Sequence, residues 1–184
     1  MTSFENLFSQ NPVFGKLPPA GRESLIQQAV IRRCQKGDVI AQAGDVWHYL
    51  FFVAKGGVQA MKQSLEGRSL VVTTFLPGDI FWGLAFFYEA MPMPVALEAT
   101  GSTLLYLWSS EQLHPLLKKE GEVSWELARL MINKMARASE ILEEMTFQPV
   151  AGRLAKLLTE ASQRGAQGTI TRSLTLDEMA ARIG

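Results

Sequence analysis

The chain has 184 residues, 47% hydrophobic and 20% charged, the balance of a globular protein with room for one domain and a smaller second one. Its formal net charge is zero and its pI is about 6.7, which excludes an all-over polycation but leaves room for a local basic patch. Cys34 is the only cysteine, which excludes an intrachain disulfide, a four-cysteine iron–sulfur site and a structural zinc site.

The opening residues, MTSFENLFSQ, contain an acid and no apolar h-region, unlike a secretory signal. No run approaches the ~20 apolar residues that span a membrane, so a cytoplasmic protein is expected. Residues 3–28 carry two short helical patterns, with Phe4, Leu7 and Phe8 in the first and Leu25, Ile26 and Ala29 in the second. Asn11-Pro12 and Leu17-Pro18-Pro19 separate them.

The period then changes. Val30-Ile31, Val39-Ile40, Tyr49 to Ala54, Val58 to Met61, Leu70 to Leu76 and Leu104 to Trp108 are short β-rich runs. Gly37-Asp38, Gly44-Asp45, Gly56-Gly57, Glu66-Gly67 and Gly78-Asp79 punctuate them. Short strands at regular spacing with Gly-containing turns predict a small antiparallel barrel or roll. Residues 65–68 read as a hairpin tip.

Within this set, Pro77 to Ala99 is unusual. A Pro-Gly-Asp turn leads into a nearly unbroken apolar run, Ile80 to Tyr88, which Pro92 and Pro94 interrupt before Val95 to Ala99 resume. Such a stretch predicts the lining of a core or of a ligand pocket. The candidate effector-pocket residues are Trp82, Gly83, Leu84, Phe86, Phe87, Met91, Met93 and Pro94. The plain alternative is that the aromatics and methionines simply fill the interior.

Helices return at Ser109, which forms a capping-box pattern with Gln112, and Gly121 is expected to end that helix. A long helix is predicted from about Glu122 to Phe147. Ala128, Met131, Met135, Ala138, Leu142 and Met145 recur along it at alternating three- and four-residue spacing, the seam of a coiled-coil dimer. A second stripe, Leu127, Leu130, Lys134 and Ile141, lies beside it. The alternative to a dimer seam is one broad face buried in a single core.

Gln148-Pro149 marks a joint, since proline suits the first turn of a new helix. Another helix is predicted from Val150 to about Ser162, then a loop, a short strand from Thr169 to Leu174, and a second capping box, Thr175 with Glu178. The last helix opens like a helix–turn–helix unit. No second helix follows, so the chain reads as part of something longer.

In this order the elements resemble the Crp/Fnr superfamily of bacterial transcription regulators. The carriers are Lys36-Gly37-Asp38-Val39-Ile40, Ala43-Gly44-Asp45, Lys55-Gly56-Gly57-Val58 and Pro77-Gly78-Asp79-Ile80. Arg153 to Leu158 and Leu174 to Ala180 extend the resemblance toward the C-terminus. It implies an α+β architecture: a cyclic-nucleotide-binding-type antiparallel β-roll sensor with flanking helices over residues 1–121, and a dimerisation helix over 122–148. Residues 149–184 would be a partial winged-helix domain lacking the recognition helix. It also implies a homodimer. Sequence-specific DNA binding is expected of the full-length protein only, because the second helix of such a unit reads the bases.

Cyclic-nucleotide-binding members carry Gly-Glu after the Pro-Gly-Asp turn and Arg-Ser about ten residues later, for the ribose hydroxyl and the cyclic phosphate. In the same frame this chain has Trp82-Gly83 and Met93-Pro94. A thioether offers a phosphate no charge and proline no backbone donor, so cAMP is not the expected effector. A small apolar or aromatic molecule is the first candidate. Haem is another, with His48 or His114, the only imidazoles, as axial ligand. Cys34 is read as a buried hydrophobe before a redox sensor. No hydrolase elbow, Walker loop, dinucleotide fingerprint or metal-site spacing is present, so no enzyme is expected and no metal site is assigned. The rival reading is an effector-less dimerisation or interaction module.

Overall fold

The computed structural model describes residues 3–64, 66, 68–164 and 175–183. Two short helices, α1 (Ser3–Gln10) and α2 (Pro19–Gln27), precede the strands, with a single 3-10 turn at Phe14–Lys16 between them. The strands are β1 (Val30–Cys34), β2 (Val39–Ala41), β3 (Tyr49–Lys55), β4 (Val58–Gln63), β5 (Ser69–Phe75), β6 (Ile80–Trp82), β7 (Ala96–Ala99) and β8 (Thr103–Ser109). They form two antiparallel four-stranded sheets, in the orders β1-β8-β3-β6 and β2-β7-β4-β5. The helices α3 (Ser110–Lys119), α4 (Gly121–Phe147), α5 (Val150–Arg164) and α6 (Leu176–Ile183) follow.

The predicted Gly-Asp turns recur as one device. At Gly37, Gly44 and Gly78 the backbone is left-handed, with φ of 87°, 94° and 96°, as the third position of a type II turn requires. In each, the following aspartate accepts from the N–H three residues back: Gln35 to Asp38, Gln42 to Asp45 and Leu76 to Asp79. The carboxylate thereby reinforces the turn that the glycine permits.

The chain folds around two cores that share β3. Phe51 and Val53 face inward, into a roll core with Trp47, Val58, Phe75, Met93, Leu97 and Leu105. Leu50 and Phe52 face the other way, against Phe8, Phe14, Trp82, Phe86, Trp108 and Leu127. A strand covered on both faces reads as continuous apolar sequence rather than alternation, which is why Tyr49 to Ala54 shows no period of two. The Trp108 indole N–H donates to the Leu25 carbonyl at 2.7 Å, tying β8 to α2.

The structure differs from expectation in two places. Ile80–Trp82, expected as a crossing, is a strand paired with β3. Gly121 does not end α3; it opens α4, and α3 stops at Lys119. Both capping boxes form: Ser109 with Gln112, and Thr175 with Glu178. The hairpin of β4 and β5 is present, although Leu65 and Gly67 at its tip lie outside the described residues. So does the expected strand at 169–174. No helix among the described residues is long and apolar enough to cross a membrane.

Candidate functional site

The Pro77–Ala99 stretch leaves its turn along β3, with Phe52 opposite Ile80, Phe51 opposite Phe81 and Leu50 opposite Trp82. Side chains alternate, so Ile80 and Trp82 enter the outer core while Phe81 packs against the roll core. The Gly83 N–H then donates to the Tyr49 carbonyl at 2.9 Å. A Cβ on Gly83 would lie 1.9 Å from the Trp47 carbonyl oxygen. No side chain of any kind fits at this position.

A 3-10 turn, Leu84–Phe86, follows. The two histidines hold its consecutive carbonyls: His48 Nδ1 lies 3.2 Å from the Ala85 oxygen, and His114 Nε2 lies 2.7 Å from the Phe86 oxygen. Each of those nitrogens must carry a proton to donate. The chain re-enters the roll at Met93, whose N–H donates to the Asp45 carbonyl while its own carbonyl accepts from Gly44. The Met93 side chain is buried in the roll core.

The eight residues expected to line one pocket are therefore divided. Trp82 and Phe86 belong to the outer core and Met93 to the roll core. Phe87 and Met91 are each 42% exposed. Pro94 is exposed as well, Leu84 is half-buried, and Gly83 has no side chain to line anything. This corrects the expectation of a single pocket: Trp82, Phe86 and Phe87 do meet, with ring centroids 6.1 and 4.8 Å apart, but the chain then crosses to the other face of β3, where Met93 enters the roll core.

The inner face of the roll is lined instead by residues not singled out in the sequence. Phe51, Phe75 and Phe81 form a mutual cluster with ring centroids 4.6 to 5.9 Å apart, and Trp47 stacks on Phe51 at 6.0 Å. Lys134 of α4 reaches over them, its Nζ 4.8 Å from the Phe75 ring centroid. Burial pushes the Lys134 ammonium below the usual lysine range, and the Asp79 carboxylate offsets part of that shift. A lysine within an otherwise apolar helix stripe was the available sequence signal.

Along α4, Val123 and Leu127 are buried in the outer core. The opposite side presents Trp125, Ile132, Met135 and Leu142, with Met135 70% exposed. Of the expected seam, Ala128, Met131, Met135, Ala138 and Leu142 are exposed, while Met145 is half-buried in a cleft with α5. Trp125 and Ile132, which the seam omitted, share the three- and four-residue spacing of Ala128, Met135 and Leu142. At the joint, Arg153 donates to the carbonyls of Met145, Gln148 and Ile183, binding α4, α5 and α6 together. A Lys156–Glu144 ion pair reinforces it. Lys36 of the roll meets Glu178 of α6 at 3.3 Å. The Glu178 carboxyl is held below its ordinary range by the Thr175 N–H and by Lys36.

With this geometry in view, the comparisons with known proteins have a definite meaning. The family model of the cyclic nucleotide-binding domain matches residues 31–120. The chain is 25% identical over 187 aligned residues to the CRP-like cAMP-activated global transcriptional regulator of Mycobacterium tuberculosis, covering 98% of this chain and 82% of that protein. Residues 31–120 match a cyclic nucleotide-binding domain, and nearly the whole chain is similar to a CRP-like regulator. Among solved structures, a regulator described as of the crp/fnr family from Eubacterium rectale superposes with a TM-score of 0.79 at 20% identity, over 97% of this chain and 81% of that one. The c-di-GMP-responsive global regulator CLP of Xanthomonas campestris superposes with a TM-score of 0.75 at 17% identity, over 88% and 82%. At Gly83, where the sequence resemblance sets the family's ribose-binding carboxylate, a Cβ is excluded by backbone. At Met93, where it sets the phosphate-binding arginine, the side chain is part of the roll core.

The clash at Gly83 is with main-chain atoms, which cannot move aside as a flexible side chain does. Gly83→Ala is therefore expected to cost about 3 kcal/mol, read as a lower denaturation midpoint with an unchanged slope. A wild-type midpoint would mean that Trp47 and Gly83 separate freely.

Proposed function

We propose that this chain is the effector-sensing and dimerising part of a Crp/Fnr-type DNA-binding transcription regulator, and that its roll does not take cyclic nucleotides. The backbone contact at Gly83 is the observation that carries the second half. A cyclic phosphate keeps its charge at neutral pH, and burying it without a partner costs several kcal/mol. The position that would supply a cation holds the buried thioether of Met93, and the position that would supply a carboxylate has no space for one.

Haem stays the second ligand class: each imidazole engages a carbonyl of the 3-10 turn through one ring nitrogen only, and a ligating histidine uses the other. The regulator reading draws on the Mycobacterium relative, named as a transcriptional regulator, and on the Pro149 joint where α5 begins. Residues 149–184 are read as the opening of a winged-helix DNA reader. One observation favours the alternative, an effector-less module: the Phe51, Phe75 and Phe81 rings and Met93 occupy the interior that a ligand would need.

Two measurements test this reading. Calorimetry with cAMP, cGMP and c-di-GMP should give no saturable heat, and micromolar binding of any of them would contradict it. In sedimentation the chain should run as a dimer through the Trp125–Leu142 face of α4. Met135→Glu and Ile132→Glu should each produce monomer, since a charge in an apolar seam is left without solvent or partner. Persistence of the dimer in both variants would move the interface elsewhere.

A further inference from the structure

The cations of α4 and the joint mostly have acidic partners. Arg129 pairs with Glu126, Arg137 with Glu140, and Lys156 with Glu144. Lys134 differs. It makes no hydrogen bond or ion pair with any described residue, and Asp79 acts on it only from farther away. Its nearest recorded companion is the face of Phe75, a fully buried ring of the roll core.

That placement is expensive. A half-buried ammonium loses hydration, and a phenyl face returns only part of the loss. Leucine or methionine at this position would continue the stripe of Leu127, Leu130 and Ile141 without that cost. A cation that only a distant carboxylate and a ring face offset, at the rim of an apolar interior, is an arrangement in which a ligand's anion would complete the pairing.

We propose that Lys134 is the anchor of the effector site, pairing with the carboxylate of a small weak acid whose flat apolar body lies on Phe75 beside Phe81 and Val72. The proposal rests on the sensor reading and names the ligand class for that site. Phe81 and Val72 pack against the same core as partly buried groups, so they are available at its margin. One ammonium without an arginine fork suits a single negative charge on a compact head.

The test uses the whole chain with benzoate and phenylacetate as probes, and benzamide and phenylacetamide as uncharged isosteres, in thermal shift and calorimetry. The two acids should raise the melting temperature of the wild type, and the amides should not. Lys134→Met should weaken binding of the acids by roughly tenfold or more and, without ligand, melt no lower than the wild type. Lys134→Arg should retain binding of the acids. Equal binding of acids and amides would remove the role of Lys134 while leaving a sensor of neutral molecules in place. Failure of both acids to bind the wild type would overturn the proposal. So would a Lys134→Met protein that melts several degrees lower, because Lys134 would then be a structural latch on Phe75.

Discussion

At Gly83 the chain leaving β6 runs so close to the Trp47 carbonyl that not even a methyl group fits between them. The adjacent Gly83–Tyr49 hydrogen bond holds it there. This approach adjoins the β3–β6 pairing, whose register sends Ile80 and Trp82 outward and Phe81 inward. Ten residues later Met93 is fixed just as firmly by its exchange of hydrogen bonds with the Gly44-Asp45 turn. Between these two anchors the backbone is held by the paired histidine contacts to Ala85 and Phe86. The segment from Gly83 to Met93 is thus strapped to the rest of the roll at both ends and at its middle.

The long helix connects what this strap encloses to the rest of the chain. Its first turns belong to the outer core through Val123 and Leu127. Midway it touches the rim of the roll through Lys134 and Phe75. At its end, Arg153 and Lys156 fasten it to the following helices. A helix of 27 residues is about 40 Å long, enough to carry the roll rim, the exposed apolar stripe and the joint on one rigid body.

The architecture was legible because its signals are local. Three Gly-Asp turns, two capping boxes and the Pro149 joint each have a mechanism within four residues, and each forms as expected. The site was less legible for a specific reason. Ile80, Phe81 and Trp82 are all apolar in sequence, but the facing of β6 is set by its pairing with β3, a contact across some thirty residues. Burial on both faces of β3 removes the alternation that would have revealed it. The emptiness of the Gly83 position was readable as a missing glutamate, whereas its cause, the Trp47 carbonyl, was not. Lys134 stood in the second stripe of α4 as a polar exception, and only its contact with Phe75 gives that exception a place in the roll.

The central claim is that the interior of the roll is occupied by the chain's own side chains, with Met93 where the family binds phosphate. Methyl NMR of Met93, assigned by its loss in Met93→Leu, reports on that position directly. Adding cAMP or cGMP at saturating concentration should leave the Met93 methyl resonance where it stands in the free protein. A concentration-dependent shift of that resonance, saturating with nucleotide, would contradict the account.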